Sequence, residues 1–244
     1  MNRKKNRIQQ HNRTPAENMQ GQAGARVHRN TGNLHSALLL LVLCVCLRLI
    51  ATQIAFADTS SAKYKEYEVK AAFIFNFLKF IDWPEEKTAA NNNKIIIGII
   101  GEDPFGPATD VFKGKSIEEH KLLLTRFEGI EQIKKMPEKE KNKHLDEIKT
   151  CHLLFICQSE QKQLRDIIEI VHDSSVLTIA DTDGFIEAGG IINLFTEENK
   201  IRFDINQAAA ENTGLKIRSQ LLRLAKTVIT QSSAAKNTTK QEGN

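Results

Sequence analysis

Short apolar runs alternating with amphipathic segments, then a hairpin, predict an α/β fold. The expected form is a single-domain sandwich with a mixed, mostly parallel sheet flanked by helices and a late antiparallel hairpin. Three observations carry this. Residues 94–101, KIIIGIIG, form a short β-branched run of the kind that is covered on both faces in a parallel sheet. Residues 160–172 place Leu164, Ile167, Ile168 and Val171 at helical spacing. Two strand-like segments, 191–196 and 200–205, are joined by Glu197, Glu198 and Asn199, which reads as a hairpin.

The remaining elements follow in order. Residues 61–81 predict a helix that is apolar on most sides, hence buried, with Trp83-Pro84 as its stop. The asparagines at 91–93 predict a turn, and residues 107–112 a short helix after the first strand. Leu122, Leu123, Leu124 and Phe127 mark a second strand over 121–127. The charge-rich stretch 129–149 predicts a helical piece with a mobile middle at 136–144. Residues 151–157 and 176–180 read as the third and fourth strands, and 181–184 as a turn. Asn206 is the expected cap of a helix to Asn212, ended by Gly214. Ile217, Leu221, Leu224, Ala225 and Val228 predict a last amphipathic helix.

The first 57 residues read as a signal peptide. Basic residues from Arg3 to Arg29 precede the apolar run 37–47, then Ala55-Phe56-Ala57, which is the order of charged region, apolar region and cleavage site. A bilayer span needs roughly 20 apolar residues, and Arg48 interrupts this run sooner. The expected layout is therefore 1–57 cleaved, 58–231 the folded domain and 232–244 a disordered polar tail. Met19 offers an alternative start. Removing the leader changes the chemistry. The whole chain has 34 Lys and Arg against 30 Asp and Glu, but eight of those bases and one acid lie in the leader. The mature part holds 26 bases and 29 acids, a net of −3, which excludes a basic nucleic-acid surface.

Two cysteines remain, Cys151 and Cys157. At the ends of one strand they would lie about 20 Å apart, whereas a disulfide needs Cα atoms within about 7 Å. Buried free thiols are expected. The four mature histidines, His120, His144, His152 and His172, show no metal-ligand spacing, and no cofactor is implied. Gly101 and Gly106 carry the outer spacing of a P-loop, but Pro107 stands where its Lys would be, so a plain turn is expected. No catalytic constellation stands out. Arg202, Arg218 and Arg223 are candidate ligand-binding residues for a small anion, weighed against surface salt bridging. Phe75, Lys79 and Trp83 are candidate residues of a partner or dimer face, weighed against core packing.

Two blocks, residues 67–84 (YEVKAAFIFNFLKFIDWP) and residues 189–228, resemble the YfiR-like family of bacterial periplasmic proteins. Between them CHLLFICQSE, residues 151–160, is similar to that family's central strand block. The resemblance covers residues 64–229. It implies a periplasmic α/β regulator, often a homodimer, that is not an enzyme. Its implied role is to bind and repress an inner-membrane diguanylate cyclase of the YfiN type through that protein's periplasmic sensor region, with an outer-membrane lipoprotein of the YfiB type relieving repression. The chain would thereby act in cyclic-di-GMP control of biofilm. Well-studied members carry disulfides, and two mature cysteines depart from that pattern. The alternative reading is a periplasmic binding module for a small ligand, a nucleotide or amino acid, without a cyclase partner.

Overall fold

Alternating burial along the apolar runs sets the sheet between two layers. The computed structural model describes residues 38–43, 63–89, 91 and 93–230. The chain divides into units 1–54 and 55–244. Of the first unit, residues 38–43 are helical and exposed. The rest of the expected leader and the whole expected tail lie outside the described residues. No helix among the described residues is long and apolar enough to cross a membrane.

The second unit begins with α1, residues 63–77, extended by a 3-10 turn at Leu78–Phe80. Then come β1 (Ile81–Asp82), α2 (Glu85–Ala89), β2 (Lys94–Ile100), a 3-10 helix at Gly106–Phe112, β3 (Ser116–Ile117) and β4 (His120–Phe127). They are followed by α3 (Ile130–Lys134), α4 (Glu138–Thr150), β5 (Leu153–Ile156), a 3-10 turn at Gln158–Gln163, α5 (Leu164–Val171) and β6 (Leu177–Ala180). The last elements are β7 (Ile192–Glu197), β8 (Lys200–Asn206), α6 (Gln207–Asn212), β9 (Lys216–Ile217), α7 (Ser219–Leu222) and β10 (Thr227–Ile229). The main sheet runs β10-β8-β7-β6-β5-β2-β4-β3. Every neighbouring pair is parallel except the hairpins β7–β8 and β3–β4. This is the mixed, mostly parallel sandwich with a late hairpin that the sequence predicts.

The period-2 alternation of strands divides the core. Ile95, Ile97, Leu153, Phe155, Leu177 and Ile179 face the layer that contains α1 and the 3-10 helix at 106–112. Ile100, Leu154, Ile156 and Ala180 face α3, α4 and α5. Gly98 is required by this second layer. A Cβ there would sit 2.8 Å from Cys151 Sγ and 2.9 Å from Leu154 and Phe127. The β7–β8 turn has two residues, Glu198 at φ 48° and Asn199 at φ 62°, the left-handed pair of a type I′ hairpin. Asn206 caps α6 by accepting from Ala209 N at 3.0 Å, and Gly214 ends it at φ 79°.

Four expectations need correction. The helix predicted over 217–228 does not form. Ile81 and Asp82 pair antiparallel with Ile217 and Lys216, α7 is a single turn, and Thr227–Ile229 joins β8 as a parallel edge strand. The helical spacing is real, but backbone partners at both ends and the β-branched Thr227, Val228 and Ile229 outweigh it. The stretch 136–144 is not a mobile middle, because α4 occupies most of it. Glu138 and Glu140 sit in its first turn, Lys141 pairs with Glu138 at 2.7 Å, and Ile148 anchors it in the core. The first helix ends before Trp83-Pro84, because Ile81–Asp82 leaves to pair with β9. Nor is that helix enclosed on all sides. Tyr67, Ala71, Ile74 and Phe77 are buried, whereas Val69, Phe73 and Phe80 are partly open.

Candidate functional site

The open side of α1 forms one wall of an apolar groove of about 650 Å³. Helical spacing explains it. Residues 67, 71, 74 and 78 point at the sheet, so Val69, Ala72, Phe73 and Phe80 form a neighbouring stripe that the sheet does not cover. The opposite wall is Ile201 and Phe203 of β8 with Leu221 of α7. Three rings build the floor. Phe77 and Phe203 have centroids 4.8 Å apart, and Phe73 meets them edge-on at 5.8 and 6.0 Å. At the mouth Val69 is 44% and Leu224 68% exposed. Glu68, Asn76 and Arg202 are the polar residues of the lining. Such a patch on an otherwise polar surface is a place for an apolar partner.

The six residues singled out in the sequence are dispersed around this groove. Arg202 of β8 lines it and is exposed. Arg218 precedes α7 and is held by Asp82 Oδ1, with Nε at 2.9 Å and Nη2 at 2.6 Å, and Nη1 donates to Lys79 O at 3.1 Å. Arg223 follows α7 and is exposed. Phe75 is half-buried, with Lys79 Nζ 4.5 Å above its ring centre, and Lys79 also donates to Asn76 Oδ1 at 2.9 Å. Trp83 faces inward instead. Its Nε1 donates to His152 O at 3.1 Å, and its ring meets the His152 ring edge-on at 5.6 Å.

His152 is fully buried, and its Nδ1 accepts from Ile96 N at 3.1 Å, which puts the proton of the neutral ring on Nε2. Burial, with Lys87 and His120 nearby, lowers its pKa to about 4. Lys87 donates to Lys149 O and Ser174 O, and burial brings its pKa down to about 8. Cys151 and Cys157 are free and buried, as expected. Burial pushes the Cys151 thiol up to about 12 and raises Cys157 further, so both stay protonated at neutral pH.

The mouth of a parallel sheet is the usual place for a phosphate, beside a helix N-terminus. Here an internal carboxylate fills it. Glu160 is buried and its Oε2 accepts from Ile130 N at 2.9 Å. A Cβ at Gly129 would lie 2.4 Å from Glu160 Oε1, and one at Gly101 would meet Ser159 Oγ at 2.4 Å. The loop is therefore packed at Gly101, against Ser159 and Glu160, and open at Gly106.

One cluster escaped the sequence reading. Lys70, on the buried side of α1, reaches Asp181 Oδ2 at 2.6 Å and Glu66 Oε1 at 2.6 Å, while Tyr67 OH donates to Asp181 Oδ2 at 2.7 Å. Asp181 looked like an ordinary turn residue. The available clue was Lys70, set between Val69 and the apolar residues 71–75 of α1.

No curated protein matches this chain. Among solved structures it is similar to a conserved domain protein from Vibrio cholerae O1 biovar El Tor, with 14% identity, 60% of each chain covered and a TM-score of 0.38. It is also similar to an ABC domain in complex with L-Trp from Streptococcus pneumoniae, with 12% identity, 58% of this chain and 59% of that chain covered, and a TM-score of 0.42. The chain spans about three-fifths of the length of each. The YfiR/HmsC-like family profile matches residues 67–226, which takes in most of α1, the whole hairpin and α7. The chain belongs to the YfiR/HmsC-like family.

Proposed function

We propose that this chain is exported by its leader and represses an inner-membrane diguanylate cyclase by holding part of that enzyme's periplasmic region in the groove between α1, β8 and α7. The observation that carries this is the pair Val69 and Leu224, exposed above a floor of three phenylalanines. An apolar segment entering there removes water from both side chains and from the ring edges, at roughly 25 cal/mol per Å² buried. Arg202 in the lining offers a charge to an acidic group on the partner. Arg218 and Arg223 flank α7, and Phe75 with Lys79 extends the face along α1. An outer-membrane lipoprotein that competes for this groove would release the cyclase, and a homodimer would present two grooves. Trp83 packs against His152 and is assigned no contact.

The test is cellular. Deleting the gene should raise cyclic-di-GMP and surface attachment, and the wild-type chain should restore both. A chain carrying Leu224→Glu should be exported and folded yet fail to restore them. Full restoration by that variant removes the groove from the mechanism, and unchanged cyclic-di-GMP on deletion removes the repressor reading.

A further inference from the structure

A second cavity, of about 1020 Å³, adjoins the groove, shares Val69, Phe73 and Ile201 with it, and is richer in charged and polar residues. It is bounded by the N-terminal half of α1, the β7–β8 turn and the residues that follow β5 and β6, and it includes Gln158 and Asn199. That location, beyond the carboxyl ends of parallel strands, is where open α/β sheets take ligands. The nearby position beside α3 is already filled by Glu160, so this is the open part of that edge.

Its charges are arranged in depth. Lys63, Lys65 and Lys200 line the outer part, are exposed and make no ion pair among the described residues. Lys70 lies deeper and is neutralised by Asp181 and Glu66. Asp181 is the innermost acid, with its side chain 4% exposed. Its Oδ2 accepts from both Lys70 and Tyr67, but its Oδ1 is buried and has no hydrogen-bond partner among the described residues. An unpartnered buried acceptor is costly and calls for a donor from outside the chain, a water or a ligand. The complementary molecule brings an anionic group to the lysines and a hydrogen-bond donor to Asp181 Oδ1. A neutral hydroxyl suffices as the donor, because Lys70 already brings a cation to 2.6 Å from the same carboxylate.

We infer that this pocket binds a small hydroxylated anion, its acidic group held by Lys63, Lys65 and Lys200 and a hydroxyl donating to Asp181. The inference stands whether or not the apolar groove holds a cyclase, and its test involves no partner protein. Calorimetry on the exported chain would use ribose 5-phosphate and glycerate as hydroxylated phosphate and carboxylate probes. Sulfate, acetate and ribose each lack one of the two features. At least one hydroxylated anion should bind about tenfold tighter than its stripped counterparts, the value of one well-made buried hydrogen bond. Raised salt should weaken that binding. Lys65→Ala with Lys200→Ala should lower the affinity about tenfold again while leaving the melting temperature unchanged. Asp181→Asn should abolish the preference over the stripped anion, but it also disturbs Lys70, so the lysine variant carries the decision. Absence of binding by both hydroxylated probes overturns the inference. So does equal affinity for the stripped anions, or binding that the lysine substitutions leave unchanged.

Discussion

The Lys70 ammonium lies 2.6 Å from the Asp181 carboxylate, 111 residues away in sequence, and the two side chains are 5% and 4% exposed. This contact fixes α1 over the carboxyl end of β6, and α1 is also the wall of the apolar groove. Lys70→Met should therefore cost about 3 kcal/mol in a denaturant titration, because it strands a buried carboxylate. Adding Asp181→Asn to that variant should recover part of the loss. A strictly additive double variant would mean that the pair is not coupled.

His152 makes stability fall in acid. Its folded pKa is about 4, below the usual 6.5, so the unfolded chain takes up a proton first as the pH drops. The contribution is intact above about pH 6.5 and is lost progressively down to about pH 4, roughly 3 kcal/mol in all. His152→Asn keeps an acceptor for Ile96 N and removes the titration. Unfolding free energies measured from pH 7 to pH 4 should show a flatter slope for this variant. An unchanged slope would place the acid sensitivity elsewhere.

Gly98→Ala should destabilise although it adds one methyl group, because that group would enter within 3 Å of Cys151, Leu154 and Phe127. The expected cost is about 1–3 kcal/mol by thermal or chemical unfolding. Neutral behaviour would mean that the α4 layer moves away easily.

The strands were legible because they are buried on both faces. Residues 94–100 and 153–156 carry so many consecutive apolar side chains that no other element fits them. The hairpin and the Asn206 cap were legible because turn chemistry is local. The segment 217–228 was not. Its spacing suits a helix, and only the distant partners Ile81 and Asp204 explain why it becomes two short strands. For the site, α1 drew notice for its aromatic content, but Phe75 and Trp83 were favoured over Phe73 and Val69 because sequence alone does not reveal which stripe the sheet leaves open. Arg218 looked available for a ligand, and Asp82, 136 residues away, holds it. Asp181 reads only as a turn residue for the same reason, since its partners lie on α1.

Thr227–Ile229 should behave as an edge strand. Val228→Pro removes a backbone donor from the pairing with β8 and should speed amide exchange across 227–229, with little change in β5 or β6. Exchange that is unaffected would argue that this strand does not persist in solution.

The most direct measurement is the affinity of the chain from residue 58 onward for the purified periplasmic region of the proposed cyclase partner, compared with a variant carrying Val69→Glu and Leu224→Glu. Both sites are surface positions, so stability should shift by no more than about 0.5 kcal/mol. Binding should weaken by about 30-fold or more, the effect of setting two carboxylates against an apolar segment of the partner. Equal affinity for the two proteins, both folded, would contradict the assignment of the groove.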